Sequence, residues 1–172
     1  MKLELGAGHR PTRGYEHNDL YPFDHIEHVG RPWELDIEPG SVAEVLALGF
    51  VEHLTYHQAL DTFHAVHEWL ATDGLFLFDV PDYPEWARYY LDALDGKPTP
   101  VPMDHIRRTL FGWQRWPGDE HLYGWDAVLL ADTLEQVGFA VSFGPPSEFR
   151  RRARRNRFDN LDDAHLYVVA RR

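Results

Sequence analysis

The stretch Leu3-Glu4-Leu5-Gly6-Ala7-Gly8 opens the chain with a short apolar strand and a turn that contains two glycines. Eleven residues after Gly8 comes an acid, Asp19, at the end of a second predicted strand. Glycines let a ligand approach the backbone where a β-carbon would collide with it. A carboxylate at the end of the next strand can accept hydrogen bonds from the two hydroxyls of a ribose. The arrangement therefore predicts a site for a nucleotide-containing cofactor.

The glycine pattern argues against a dinucleotide cofactor. A dinucleotide fingerprint needs a third glycine for close packing of the helix against the strand, whereas this chain has Arg10 and Pro11 in that part of the turn. The phosphate-binding pattern G-x-x-x-x-G-K-[ST] is absent from the sequence. An acid, Glu4, stands two residues before the first glycine.

Length and composition indicate one folded domain over residues 1–172, with 44% hydrophobic and 14% aromatic residues. A net charge of −11 disfavours broad attraction to nucleic acid or to an anionic membrane. The absence of cysteine excludes disulfides and fits a cytoplasmic location. Since no apolar run reaches the ~20 residues that cross a bilayer, and the first strand begins at once, we expect neither a membrane span nor a signal peptide.

Apolar spacing predicts alternating strands and helices. The predicted strands are 2–5, 14–18, 42–48, 75–80, 139–143 and 165–170, and the predicted helices are 56–70, 84–95 and 126–137. Thr55 is the expected N-cap of the first helix, Gly138 ends the last, and residues 72–74 form a turn. Residues 21–40 and 97–125 are rich in turn formers and are expected to be mostly irregular. The alternation favours a mainly parallel sheet, with room for an antiparallel pair at one edge.

Three further stretches, in order after the glycine turn, resemble class I S-adenosylmethionine-dependent methyltransferases, and among them the small methyltransferase-type-11-like family. They are residues 45–54, with the Glu52-His53-Leu54 step into a helix; residues 70–82; and residues 118–121 with the helix that ends at Gly138. The resemblance covers roughly residues 2–145. It implies a Rossmann-like, doubly wound, mostly parallel seven-stranded sheet with an antiparallel edge strand.

The chain departs from the family pattern in two ways. Residues 72–74 keep one glycine where the family often has two. The helices that precede the first strand in larger relatives are missing, so we expect a truncated N-terminus, with residues 97–125 or a partner subunit covering the substrate side. A homo-oligomer would serve the same purpose.

The resemblance also implies a site for S-adenosylmethionine, with S-adenosylhomocysteine as the product. Its expected cofactor residues are the strand end and turn (Glu4, Leu5, Gly6, Ala7, Gly8), the ribose acid and its neighbour (Asp19, Leu20), the adenine contacts (Asp36, Ile37), and the residues beneath the sulfonium (Leu48, Gly49, Phe50).

Methyl transfer from a sulfonium is an in-line displacement that depends on alignment, and a hydroxyl acceptor must also lose its proton. His53 and His121 are the candidate bases, with Asp119 beside the second. Two other interpretations stay open: His53 caps the following helix or supports Glu52, and His121 lies in a surface loop.

Two clusters have more than one interpretation. Trp113, Trp116, Tyr123 and Trp125 form either a wall over the acceptor or the packing of a loop on the sheet. The six arginines within residues 150–157 form either a clamp for a phosphate, an acidic sugar or RNA, or a solvated insertion.

We predict no metal site. Asp24 and His28 have helical i, i+4 spacing beside His25 and Glu27, but no third ligand set accompanies them.

The predicted function is methyl transfer to a hydroxyl or amine of a small molecule such as a sugar, nucleotide or natural product. Two alternatives remain: a non-catalytic cofactor-binding subunit, and an RNA methyltransferase that docks through the arginine cluster.

Overall fold

The computed structural model describes residues 1–144, 149 and 164–172. In these residues one sheet contains seven strands: β1 (Lys2–Leu5), β2 (Glu16–Asp19), β3 (His28–Val29), β4 (Val42–Leu48), β5 (Leu70–Pro81), β6 (Ala140–Phe143) and β7 (His165–Arg171). The α-helices are α1 (Tyr56–Trp69), α2 (Tyr83–Leu94), α3 (Met103–Phe111) and α4 (Ala127–Val137). Short 3₁₀ turns occupy Pro32–Glu34 and Val51–His53.

The strand order is β3-β2-β1-β4-β5-β7-β6. β1 pairs in parallel with β2 and β4, and the parallel pairing continues outward to β3 and β5. β7 runs antiparallel to both β5 and β6. This order confirms the predicted doubly wound sheet with an antiparallel pair at one edge. The order reverses between β1 and β4, where sheets of this kind open a crevice at the carboxyl ends of the strands.

Local capping interactions define the ends of α1 and α4. Thr55 caps α1, because its side chain accepts from the Gln58 amide while the Gln58 side chain accepts from the Thr55 amide. The Asp126 side chain accepts from the Leu129 amide at the start of α4, and Gly138 ends that helix at φ 117°. A β-carbon is strained in that left-handed conformation, so glycine suits the position.

Two apolar layers cover the sheet, as the period of two along β5 requires. Phe76 and Phe78 face α1 and pack around Phe63. Leu77 faces the opposite layer with Leu46. A third cluster joins α2 to α3, in which Trp86, Ile106, Leu110 and Ala164 are buried together.

The prediction that residues 97–125 are mostly irregular is wrong over α3. Three prolines precede this helix and Gly112 ends it, so its sequence suggests a loop. Burial of Ile106 and Leu110 against Trp86 on α2 stabilises it, because tertiary packing of an apolar face outweighs local propensity in short helices.

The predicted turn at residues 72–74 is also wrong, because β5 begins at Leu70 directly after α1. The pairing with β4 shifts register between the Val42–Leu70 and Glu44–Leu75 pairs. Asp73 has φ 62°, so the irregular backbone lies inside the strand. β2 begins at Glu16, two residues after the start of the predicted strand 14–18. Residues 21–40, which are expected to be mostly irregular, include the short strand β3.

The arginine cluster at 150–157 lies outside the described residues, so its two interpretations stay as predicted. Within the described part of the chain, no helix combines the length and apolar character needed to cross a bilayer.

Candidate active site

The glycine turn, residues 6–8, lies at the end of β1 where the strand order reverses. Gly6 and Gly8 have φ of 62° and 57°. A β-carbon on Gly6 would lie 2.5 Å from Cδ2 of Phe50, whereas one on Gly8 would meet no atom within 4 Å. Gly6 therefore permits the close approach of the Phe50 ring, and Gly8 leaves open space above the turn.

Asp19 links this turn to the end of β2. Its Oδ2 accepts from the Gly8 amide at 2.8 Å, and its Oδ1 accepts from the Tyr21 amide at 3.0 Å. A carboxylate has about four lone-pair sites, so Asp19 keeps acceptor capacity for a diol. The next residue, Leu20, has an exposed side chain.

Glu4 is 2% exposed and its carboxylate faces Thr12. Oε2 accepts from the Thr12 amide at 2.6 Å and Oε1 from the Thr12 hydroxyl at 2.7 Å. These bonds fix the loop that follows the glycine turn. Contact between Glu4 and a cofactor stays a prediction.

The other predicted cofactor residues divide by exposure. Leu5, Ala7 and Leu48 are buried, and their contact with a cofactor stays a prediction. Ile37 is buried as well, while Asp36 beside it is exposed.

Gly49, just after β4, is exposed and has φ 60°. Its amide donates to Oδ1 of Asp79 at 2.9 Å, and Oδ2 of Asp79 lies 3.2 Å from Nδ1 of His165. Our sequence reasoning missed Asp79 and His165. The available signal was the acid Asp79 within the otherwise apolar residues 75–81 of β5.

Glu52 lies in the Val51–His53 turn and is 5% exposed. Its Oε2 has no hydrogen-bond partner. Burial, with a further contribution from the charge of Asp79, raises the pKa of Glu52 to about 8. In the sequence analysis this residue appears only as one that His53 could support.

His53 and His121, here called the histidine pair, come together although they are distant in sequence. Their ring centroids are 4.9 Å apart and the rings are nearly perpendicular. Nδ1 of His53 lies 3.0 Å from the Glu120 carbonyl oxygen. Since a carbonyl only accepts, Nδ1 carries the proton and Nε2 presents a lone pair in the neutral ring.

Burial governs the charge of both rings. It lowers the pKa of His53, and it lowers the pKa of His121 to about 4 with help from the neighbouring His53. The His121 ring is also hydrogen-bonded to the Thr109 backbone, which opposes this shift. Both imidazoles are therefore neutral near pH 7 and can accept protons or ligate a metal.

The 119–122 segment holds the histidine pair through its main chain. The Leu122 amide donates to the Glu52 carbonyl at 2.9 Å, and the His121 amide donates to the Phe111 carbonyl at 3.2 Å. The segment is thus tied to the Val51–His53 turn on one side and to the end of α3 on the other.

Asp119 bonds to Arg115, which donates from Nε at 2.9 Å and Nη2 at 3.0 Å. Burial alone would raise the pKa of Asp119, but the Arg115 hydrogen bonds lower it below the ordinary value. The predicted acid therefore has an arginine as its partner, and it acts on the imidazoles through its charge.

The four aromatic residues of the predicted acceptor wall divide into two pairs. Trp125 is in the main core, and Tyr123 packs against it. Trp113 and Trp116 are exposed, and the Arg115 guanidinium lies 4.2 Å from the Trp116 ring centroid. Trp125 therefore packs in the core, whereas Trp113 and Trp116 are the exposed rings of the four.

The histidines near β3 are engaged in separate contacts. Nε2 of His25 lies 2.7 Å from the Gly8 carbonyl oxygen, and Nε2 of His28 lies 2.8 Å from Oε2 of Glu16. Glu52, His53 and His121, by contrast, offer ligand atoms that all lie within 4.8 Å of one another. No residue spacing signals this group, because its members come from two segments that are distant in the chain.

Comparison with known proteins shows the fold. No family model matches the chain, and no curated protein matches it in sequence. Among solved structures, an S-adenosylmethionine-dependent methyltransferase from Mesorhizobium loti has a TM-score of 0.59 at 19% identity, covering 99% of this chain and 90% of that one.

Two other solved structures are similar to the same extent. A Haloferax volcanii methyltransferase, solved in complex with a methyltransferase activator, has a TM-score of 0.57 at 15% identity, with 99% and 81% of the two chains covered. The 1,6-didemethyltoxoflavin-N1-methyltransferase of Burkholderia thailandensis, with its substrate and S-adenosylhomocysteine bound, has a TM-score of 0.56 at 17% identity, with 99% and 70% covered. The chain therefore has the class I S-adenosylmethionine-dependent methyltransferase fold.

Proposed function

We propose that this chain transfers the methyl group of S-adenosylmethionine to a hydroxyl or amine of a small molecule. One observation carries the proposal: the open turn at Gly8, the carboxylate of Asp19 and the exposed Gly49 lie at the carboxyl ends of β1, β2 and β4. The strand order reverses between β1 and β4, where sheets of this kind bind nucleotides.

The residues present fit this cofactor. Gly8 has space where a β-carbon would stand, and Asp19 keeps lone pairs for two ribose hydroxyls. Leu20 and Ile37, with Asp36, would contact the adenine, and Gly49 would lie near the sulfonium. When bound, the cofactor supplies an electrophilic methyl group on a positively charged sulfur.

The acceptor would approach the cofactor over the histidine pair, and residues 97–125 would cover this substrate side. Glu52 Oε1 lies 3.9 Å from the position of a β-carbon on Gly49, which links this region to the expected sulfonium position. The lone pair of either imidazole can take the proton of an acceptor hydroxyl, an effect typically worth about 10²–10⁴-fold in rate. Asp119 and Arg115 would act as positioning residues that fix the 119–122 segment.

The first test is cofactor binding by calorimetry. The wild-type chain should bind S-adenosylmethionine and S-adenosylhomocysteine, and Asp19→Ala should weaken both at least about tenfold because charged hydrogen bonds are lost. Asp61→Ala, on the exposed face of α1, is the matched control and should bind normally. Absence of binding by the folded wild-type chain would refute the proposal.

The second test is turnover of methyl-labelled cofactor with a panel of small hydroxyl and amine acceptors. His53→Ala and His121→Ala should lower kcat while leaving cofactor affinity within about twofold, since neither ring belongs to the expected cofactor site. Tight binding without turnover would support the non-catalytic alternative. Methylation of RNA with a steep salt dependence would support the nucleic-acid alternative.

A further inference from the structure

Glu52 has a buried oxygen that the rest of the described chain does not satisfy. Oε2 has no hydrogen-bond partner, although the side chain is almost fully buried. Leaving a buried polar atom without a partner is unfavourable, and more so when the group is charged. Such an atom calls for an explanation, and a bound ion is one that also involves the groups around it.

Two imidazoles, those of His53 and His121, offer ligand atoms within 4.8 Å of the Glu52 carboxylate. The Glu120 carbonyl fixes Nδ1–H of His53 and leaves its Nε2 as an acceptor. The Thr109 backbone interacts with the His121 ring and raises its pKa, in opposition to burial. Histidines that bind metals almost always donate their other N–H to a carbonyl or carboxylate, because this fixes the ring and its tautomer.

We propose that Glu52, His53 and His121 together bind a divalent transition-metal ion of the zinc type. Their ligand atoms already lie within 4.8 Å of one another. Zn–N and Zn–O bonds are about 2.0–2.2 Å long, so shifts of roughly 1 Å bring the three atoms onto one ion. Two imidazoles and one carboxylate suit zinc or iron(II), whereas magnesium and calcium favour sets of oxygens.

The surrounding charge favours a cation at this point. The Asp79 carboxylate is close enough to Glu52 for repulsion between them. Asp119 adds negative charge near both rings, although Arg115 offsets part of it. A divalent ion would therefore stabilise a group of acids that burial otherwise leaves poorly compensated.

Three protein ligands leave one coordination position open for substrate or water. The role of the ion rests on the proposed function: an acceptor hydroxyl would bind at the open position. Its O–H bond then breaks, the electron pair stays on oxygen and the proton passes to water. The ion would thus take the place of a free imidazole in activating the acceptor.

The test is direct metal binding to the full chain after removal of metal by a chelator. Titration with Co²⁺ should give visible absorption bands of low coordination number, and Zn²⁺ should displace the Co²⁺. Glu52→Gln, His53→Ala and His121→Ala should each weaken binding at least about tenfold, since even the loss of an outer hydrogen-bond partner has an effect of that size. His64→Gln removes an exposed imidazole on α1 and should bind as the wild type does.

Zn²⁺ should also raise the Tm of the wild type more than that of Glu52→Gln, whose side chain keeps its size and shape. Circular dichroism of each variant separates loss of a ligand from loss of folding. Equal binding by the wild type and Glu52→Gln, or no binding beyond that of surface histidines, would overturn the proposal. Cofactor binding is measured separately, so failure of the metal site and failure of methyl transfer give different results.

Discussion

Glu4 and Glu52 are buried to nearly the same extent, at 2% and 5% exposure, but their surroundings differ. Both oxygens of Glu4 accept hydrogen bonds from Thr12. Oε2 of Glu52 accepts none. The first glutamate belongs to the β1–β2 side of the crevice, and the second belongs to the Val51–His53 turn beside the histidine pair.

The difference separates a carboxylate with hydrogen-bond partners for both oxygens from one whose buried Oε2 has none. The interactions of Glu4 stabilise the loop after the glycine turn, so its burial is explained by the fold alone. Burial of Glu52 is unfavourable for the fold alone, and such local conflicts tend to occur at functional sites. Substitutions at Glu4, at Glu52 and at the glycine turn test this contrast.

The largest expected effect is at Gly6, where the turn after β1 meets the Phe50 ring that follows β4. Gly6→Ala should lower the free energy of unfolding by about 2–4 kcal/mol, from the positive φ and from overlap with the Phe50 ring. Gly8→Ala has the strain without the overlap and should cost about 1–2 kcal/mol. Denaturant unfolding measures both.

A double variant identifies the cause. Phe50→Ala removes the ring that a β-carbon on Gly6 would strike, so Gly6→Ala should cost less in that background than in the wild type. Equal costs in the two backgrounds would mean that the contact between the two sides contributes nothing.

The same substitution at both glutamates gives a smaller effect. Glu4→Gln should lower the free energy of unfolding by about 1–2 kcal/mol, because hydrogen bonds to a charged acceptor are replaced by weaker ones. Glu52→Gln should change it by less than about 0.5 kcal/mol, since Oε2 has no partner to lose. Denaturation of metal-free protein at one pH measures both. A larger loss at Glu52 would contradict the contrast.

The smallest expected effect is a change in the pH dependence of stability, caused by a histidine outside the candidate site. Burial lowers the pKa of His67, which packs against Phe139 in the last turn of α1. Its contribution to stability is present above the unfolded pKa of about 6.5 and is lost as pH falls through the folded value. His67→Leu should therefore flatten the decline of stability below pH 6.5 in thermal unfolding. An unchanged slope would show that His67 does not contribute.

Much of the fold was predictable because its signals are local. Thr55 with Gln58 sets the start of α1, and the continuous apolar run of β4 indicates a strand covered on both faces. α3 was not predictable in the same way, because its stability depends on Trp86 from another helix. The start of β5 at Leu70 depends likewise on register with β4.

The candidate site was predictable in its residue types and less so in its arrangement. The Glu52-His53-Leu54 step and the segment that contains His121 both belong to the stretches that resemble the methyltransferase family. That the two rings meet at 4.9 Å depends on the path of residues 112–122. The missing partner of Glu52 is a property of the assembled interior, which a local pattern does not encode.

The main-chain anchoring of the 119–122 segment has an evolutionary consequence. Backbone atoms of Phe111, Glu120 and Leu122 make the bonds that hold the histidine pair. A hydrogen bond from a peptide group does not depend on the identity of the side chain. Homologues should therefore diverge freely at these three positions, remodelling the rim for different acceptors, while the imidazoles beneath stay in register.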